Sequence, residues 1–241
     1  MLQNSRGFVF HVARYSESSA IVKVFTEEWG MESYVIKSLY SRNARIKPAL
    51  FGHLSLLTLV VDRKPGRSLN YIRDAVIPKT FYNITDSMLR SSILLFMNEV
   101  LYKSVKEEEA NSTLFDFIEH SLDSLNSSEV EVNGFPLLFL IRLSEILGFG
   151  PVLSLAGNEE HFDMLTGQSV VRDPGHSYSV SGTSLLLLRN LSLIDYADLH
   201  TCIASRNVRL DLLNRLADFL SIHIPEMSRL KSIKVLHEIL G

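Results

Sequence analysis

Five short runs of strand-forming residues lie ahead of Pro78, each bounded by turn residues. Gly7–Tyr15 alternates in part and is rich in Phe and Val. Ala20–Phe25 (AIVKVF) alternates more clearly. Glu32–Leu39 reads ESYVIKSL, Leu54–Asp62 reads LSLLTLVVD and Leu69–Ile77 reads LNYIRDAVI. Ser16–Ser19, Trp29-Gly30 and Lys64-Pro65-Gly66 punctuate them. A sheet of short strands has two edges to hide, and closure into a small barrel removes both. Leu54–Asp62 is too continuously apolar for a strand with one wet face, so it belongs where both faces are covered. A five-stranded OB-fold fits this count, and an SH3-like barrel fits it as well.

The period changes near Pro78. In Thr85–Lys106, Met88, Leu89, Ile93, Phe96, Met97, Val100 and Leu101 recur at spacings of three and four, which predicts an amphipathic helix with Thr85 or Asp86 as N-cap. Thr113–Leu125 repeats the pattern. Pro136–Leu147 is apolar on nearly all sides and reads as a central helix ending at Gly148. Residues 151–180, with Gly157, Gly167, Pro174 and Gly175, read as an irregular loop or hairpin insert. Helical spacing returns in Gly182–Leu191, Arg206–His223 and Met227–Leu240. The expected architecture is α+β: a barrel domain over residues 1–79 and a helical domain over 80–241 that carries the insert at 151–180.

Charge divides along the same line. Residues 1–79 carry a net charge of +6 and residues 80–241 a net of −9 within the overall −3. Two modules with different partners are implied. The single cysteine, Cys202, forbids an intrachain disulfide and suits a reducing cytoplasm. No apolar run approaches the ~18 residues a membrane helix needs, and the start MLQNSRGFVFHV is not that of a signal peptide.

Catalytic motifs are absent: no phosphate loop, GxSxG or HExxH occurs. His200 and Cys202 lie two residues apart, the seed of a hydrolase reading, but a lone cysteine is far more often buried structure. Glu159, Glu160, His161 and Asp163 cluster in the insert without the thiolates of a structural zinc site. The barrel cations carry the stronger hint. Lys37, Arg42, Arg45 and Lys47 crowd the segment KSLYSRNARIK; Arg63, Lys64 and Arg67 surround the next turn; Arg14 and Lys23 flank the first. Cationic loops on a small barrel neutralise a phosphate backbone, and Tyr34, Tyr40 and Tyr71 are candidates to stack on bases. A solvated basic face, on a scaffold that binds only proteins, is the alternative.

The segment GFVFHVARYSESSAIVKVFTEEWG resembles the opening of RecO proteins, through Ser16-Glu17-Ser18, Phe25-Thr26, Glu27-Glu28 and Gly30. The loop Ser38–Lys47, stepping through Lys47-Pro48-Ala49-Leu50 into the next strand, is similar to the family's small-residue, Arg-rich loop. Leu147-Gly148-Phe149-Gly150-Pro151 resembles its Leu-Gly-Tyr-x-Pro, and Leu230-Lys231-Ser232 its usual close. The ordered set covers nearly the whole chain. It implies an N-terminal OB-fold, a helical C-terminal domain and no enzymatic activity. It further implies binding of single- and double-stranded DNA, strand annealing, and RecA loading with RecR on DNA coated by single-stranded DNA-binding protein. Arg142 on the central helix is the candidate contact for that protein's acidic tail.

Two departures stand out. Many relatives carry paired cysteines in the insert; here the positions are Ala156 and Glu159, and then Val170–Pro174, without cysteine. The insert is therefore expected to be zinc-less, and no cofactor is expected. The loop Ser41–Lys47 is also less densely basic than in many relatives.

Overall fold

The computed structural model describes residues 1–64, 66–67, 69–106, 109–154, 160–227 and 230–239. Strands β1 (Leu2–Arg14), β2 (Ala20–Thr26), β3 (Gly30–Ile36), β4 (Leu56–Asp62) and β5 (Asn70–Val76) close into a barrel in the order β1-β2-β3-β5-β4. The β3–β5 pair is parallel, with Tyr34 opposite Asn70 and Val35 opposite Tyr71, while the other ladders are antiparallel. This is the order of the five-stranded Greek-key OB-fold, so it decides between the two barrels that the pattern of short strands left open.

Closure depends on the length of β1. Its first half, Leu2–Phe8, pairs with β4, and its second half, Gly7–Arg14, pairs with β2. Val9, Val22, Val24, Tyr34, Ile36, Leu57, Leu59, Val61 and Ile72 fill the interior. Phe8 and Phe25 are equally buried but face Phe115, whose ring centroid lies 4.8 Å from that of Phe8 and 6.3 Å from that of Phe25. The strands β1 and β2 are thus covered on both sides, which is why their sequences alternate only in part. Gly7 sits where β1 changes partners. A β-carbon there would lie 2.5 Å from Val24 Cγ1 and 3.2 Å from the Phe25 carbonyl oxygen.

Helices α1 (Tyr82–Thr85), α2 (Met88–Ser104), α3 (Ser112–Asn126), α4 (Phe135–Ile146), α5 (Gly182–Ser192), α6 (Arg206–His223) and α7 (Ser232–Ile239) follow. Contacts group Met1–Phe81 with Leu101–Glu119 in one compact unit, and Tyr82–Val100 with His120–Gly241 in another. The end of α2 and the first half of α3 therefore belong with the barrel. The α2 N-cap is Ser87, whose hydroxyl accepts from Arg90 N at 3.3 Å, and not Thr85 or Asp86; Thr85 ends α1 and turns its hydroxyl to the Tyr82 carbonyl at 2.8 Å. In the second unit α4 is buried along most of its length, as its apolar sequence requires. No helix among the described residues is long and apolar enough to cross a membrane.

The insert takes the hairpin form of the two expected, with a third strand added. Strands β6 (His161–Asp163), β7 (Gln168–Val170) and β8 (Ser179–Ser181) form an antiparallel sheet with β6 in the middle. Phe162 is buried against Phe219 of α6, with ring centroids 5.4 Å apart. Asp163 accepts from Leu165 N and Thr166 Oγ1 and faces His176 Nε2 at 3.4 Å, so side-chain and backbone hydrogen bonds hold the turn. Ala156 and Glu159 lie outside the described residues. Among the described residues no group of three His, Cys, Asp or Glu side chains is gathered to hold a metal.

Replacing Gly7 by Val should lower stability by about 1–3 kcal/mol, because the new side chain must displace Val24 in a filled core. Urea denaturation measures this; an unchanged midpoint would show that β1 has room at its crossover.

Candidate nucleic-acid interface

The loop after β3 is built to send its charges outward. Leu39, Ala44 and Ile46 are buried, and Ile46 joins the barrel core, while Arg42, Arg45 and Lys47 between and beside them are exposed. Pro48 opens a single 3₁₀ turn, Pro48–Leu50, directly behind Lys47 and fixes the exit. Ser38 takes a left-handed backbone conformation, φ 57°, and its carbonyl accepts from Ser41 N at 3.1 Å and Ser41 Oγ at 2.8 Å. Tyr40 N donates to the Ser18 carbonyl at 2.9 Å, tying this loop to the β1–β2 turn. There the Arg14 guanidinium lies 5.3 Å from the Tyr40 ring and donates to the Glu17 carbonyl at 2.8 Å.

A second group of cations surrounds Tyr71 at the start of β5. Lys37 Nζ, the Arg73 guanidinium and the Arg67 guanidinium lie 5.1, 5.5 and 6.0 Å from its ring centre. Three elements supply them: the exit of β3, the β4–β5 loop and β5 itself. Arg73 is the extra residue of a bulge, since Val60 pairs with Asp74 and Val61 with Ile72; alternation from the core residue Ile72 already turns Arg73 outward beside Tyr71, and the bulge turns Asp74 away from the core and returns Ala75 to it. Arg73 Nη2 donates to Asp62 Oδ2 at 2.6 Å. That bond, and then the N-terminal ammonium at 3.3 Å, hold the Asp62 carboxyl below its ordinary range. Lys37 and Arg67 have no acidic partner among the described residues.

The remaining barrel cations separate by role. Arg63 Nε donates to Glu32 Oε1 at 2.7 Å, its guanidinium lies 4.8 Å from the Trp29 ring, and Glu32 also accepts from Tyr34 Oη at 2.6 Å. This network ties the residue that follows β4 to β3. Burial, and then the bond to Glu32, push the Tyr34 phenol well above its ordinary range. Tyr34 is thus a core residue and offers no ring to a base. Arg45 Nη2 is paired with Asp74 at 3.0 Å, although its side chain is 80% exposed. Arg42, Lys47 and Lys64 are exposed without ion-pair partners among the described residues; the Lys64 backbone N–H donates to Asn70 Oδ1 at 3.1 Å. Lys23 lies apart from the Tyr71 group, 5.6 Å from the ring of Tyr102.

The structure thus brings Lys37 and Arg67 together, adds Arg73, and withdraws Arg63 into the barrel wall. Arg73 was overlooked as a cation, yet Tyr71 and Arg73 stand two apart in LNYIRDAVI, and that spacing is a usable signal. In the second unit Arg142 is fully engaged. Its Nη1 donates to both Glu145 oxygens at 2.9 and 3.1 Å, and its Nη2 to the Ser192 and Ile194 carbonyls at 3.4 and 2.5 Å. It caps the C-terminus of α5 instead of standing free for an outside carboxylate. The His200 Nδ1 faces the Ala197 carbonyl at 3.0 Å, and Cys202 is half-buried.

Residues 1–81 match the model described as Recombination protein O N terminal, and residues 86–233 match Recombination protein O C terminal. The chain belongs to the RecO family. Proteins named DNA repair protein RecO from Bacteroides fragilis and Porphyromonas gingivalis are 33% and 30% identical to it, over 99% and 98% of both chains. That of Christiangramia forsetii is 28% identical over the whole of both. The boundary between the two matched regions falls at the end of the barrel, where the chain passes into α1.

The different surroundings of the cations predict different costs of removal. Arg63→Ala should destabilise the barrel by about 1–3 kcal/mol, because it leaves the mostly buried Glu32 carboxylate without its cation and with only the Tyr34 hydroxyl as donor. Arg42→Ala should change stability by less than ~0.5 kcal/mol. Thermal denaturation of the two variants side by side tests the contrast; equal midpoints would contradict it.

Proposed function

We propose that this RecO-family chain is a DNA repair and homologous recombination mediator that uses its barrel to bind single- and double-stranded DNA and to anneal complementary strands. The observation that carries this reading is the convergence of Lys37, Arg67 and Arg73 on the half-buried ring of Tyr71. An aromatic face ringed by cations binds a nucleotide twice over, by stacking on the base and by attracting the phosphate. The adjoining loop extends the positive surface through Arg42, Arg45 and Lys47, and Lys64, Arg14 and Lys23 add exposed cations elsewhere on the barrel. Two complementary strands repel each other through their phosphates, and a cationic surface that screens this repulsion lets them pair.

Residues 80–241 carry a net charge of −9 and are poorly suited to phosphate. In this reading they dock proteins: RecR, and single-stranded DNA-binding protein on the DNA to which RecA is delivered. The reaction requires no bond chemistry, and the setting is the cytoplasm.

Binding of a fluorescent thymidine oligomer, followed by anisotropy across a salt series, tests the site. The double variant Lys37→Glu, Arg67→Glu should weaken binding to every sequence, because phosphate contacts carry no base information, and should make the log–log salt slope shallower by ~0.7 per lost contact. Tyr71→Ala should cost about ten-fold in affinity with little change of slope, since stacking is worth ~1–3 kcal/mol per base. A weak, salt-insensitive interaction in the unsubstituted protein would instead support a protein-binding scaffold that does not engage DNA.

A further inference from the structure

The barrel carries another cluster of donors, separate from Tyr71. His11 of β1 and Lys23 of β2 face each other across the ladder, and Tyr102, in the part of α2 that belongs to the barrel unit, lies against both. The His11 imidazole stacks on the Tyr102 ring, centroids 5.1 Å apart and planes 23° from parallel, and Lys23 Nζ lies 5.6 Å from the same ring centre. A bulge makes this possible. Val9 pairs with Val24 and His11 with Lys23, so Phe10 is the extra residue on β1. Without it, alternation from the core residue Val9 would turn His11 inward; with it, His11 is exposed and Val12 packs on the core in its place. Val9 is held from the other side by Leu54 N to its carbonyl at 2.8 Å and by its own N–H to the Ser55 carbonyl at 3.1 Å.

These donors converge without an acceptor. Among the described residues Lys23 has no acidic partner, and neither the His11 ring nitrogens nor the Tyr102 hydroxyl makes a hydrogen bond. Elsewhere on the same unit Arg6, Arg45, Arg63 and Arg73 are each paired with a carboxylate. His11 is also a wall of a cavity of about 270 Å³, lined otherwise by Val9, Phe10, Val12, Phe51, Gly52 and His53. An ammonium, an imidazole and a phenol together suit a phosphodiester, and an apolar cavity edged by imidazole rings suits a planar base.

We propose that His11, Lys23 and Tyr102 form a second nucleotide subsite, which takes a backbone phosphate at Lys23 and an adjacent unstacked base beside His11. The proposal rests on the DNA-binding reading given above. Lys23 stands opposite Ser33, and Val35 opposite Tyr71, so a single strand, β3, separates the two clusters, and β2 lies about 10 Å from β5. The nucleotide here is either a continuation of the strand held at Tyr71 or part of its complement. The ligand chemistry is the same in both cases.

The full chain with Lys23→Glu, and separately with Tyr102→Phe, is compared with the unsubstituted protein for two properties. One is affinity for thymidine oligomers of about 4 and about 16 nucleotides; the other is the rate of annealing of two complementary oligomers. Thermal midpoints confirm that both variants fold. If one strand spans both clusters, Lys23→Glu weakens binding of the long oligomer about ten-fold, with a slope shallower by ~0.7, and leaves the short one unaffected. If the subsite holds the complement, both affinities stay and annealing slows about ten-fold. Tyr102→Phe should produce the same pattern at about three-fold, the loss of one hydrogen bond. DNA binding by the unsubstituted protein with neither property altered in the variants would overturn this subsite alone. No DNA binding by the unsubstituted protein would overturn the subsite together with the reading it rests on.

Discussion

A five-stranded sheet closes only when its first and last strands meet, and here β1 makes the join by pairing with β4 along one half and with β2 along the other. It runs from Leu2 to Arg14, pairs with β4 and then with β2, and changes partner at Gly7, where a side chain would have to displace Val24. A strand that turns around a barrel in this way must bend and twist, and an extra residue is the ordinary means. The bulge at Phe10 supplies the bend in β1, and a bulge at Arg73 does the same in β5. Each turns outward a polar side chain that strict alternation would have aimed at the core, His11 in β1 and Asp74 in β5. The constraint that closes the barrel therefore also arranges its surface chemistry.

Closure also sorts the cations into two kinds. Arg6 bridges Glu27 and Glu119 at 2.8 and 2.9 Å and, chiefly through its hydrogen bond, holds the Glu27 carboxyl below its ordinary range. Arg63 fastens Glu32 and, through it, the core residue Tyr34. Such charges are committed to the fold, and their removal strands a partner. Lys37, Arg42, Lys47, Lys64 and Arg67 serve no comparable purpose and sit on exposed loops, where a fold gains little from them. Their persistence on one unit of a chain with a net charge of −3 is what gives the barrel its positive surface.

Much of the architecture was legible in the sequence because it rests on local pattern. Arg206–His223 was readable to the residue, since Ser205 caps it and its apolar positions keep a steady period. The five barrel strands were readable from alternation and turn residues. The insert strands were not, because a strand of three residues has no measurable period. The N-cap of α2 was misplaced because Thr85, Asp86 and Ser87 are all good caps, and which one serves depends on where α1 ends. The candidate site was legible as a list of cations but not as an arrangement. The grouping at Tyr71 depends on the parallel pairing of β3 with β5, and the loss of Arg63 to Glu32 spans thirty-one positions; neither is visible in a local window.

Hydrogen exchange of the full chain, with and without a saturating thymidine oligomer, tests the central claim most directly, because it locates the ligand without substituting any residue. The account predicts slowed exchange in Lys37–Lys47 and in the segment from Leu69 to Arg73, with α4 and α6 unchanged. Protection confined to α4 and α6, with the barrel exchanging as it does in the free protein, would contradict it.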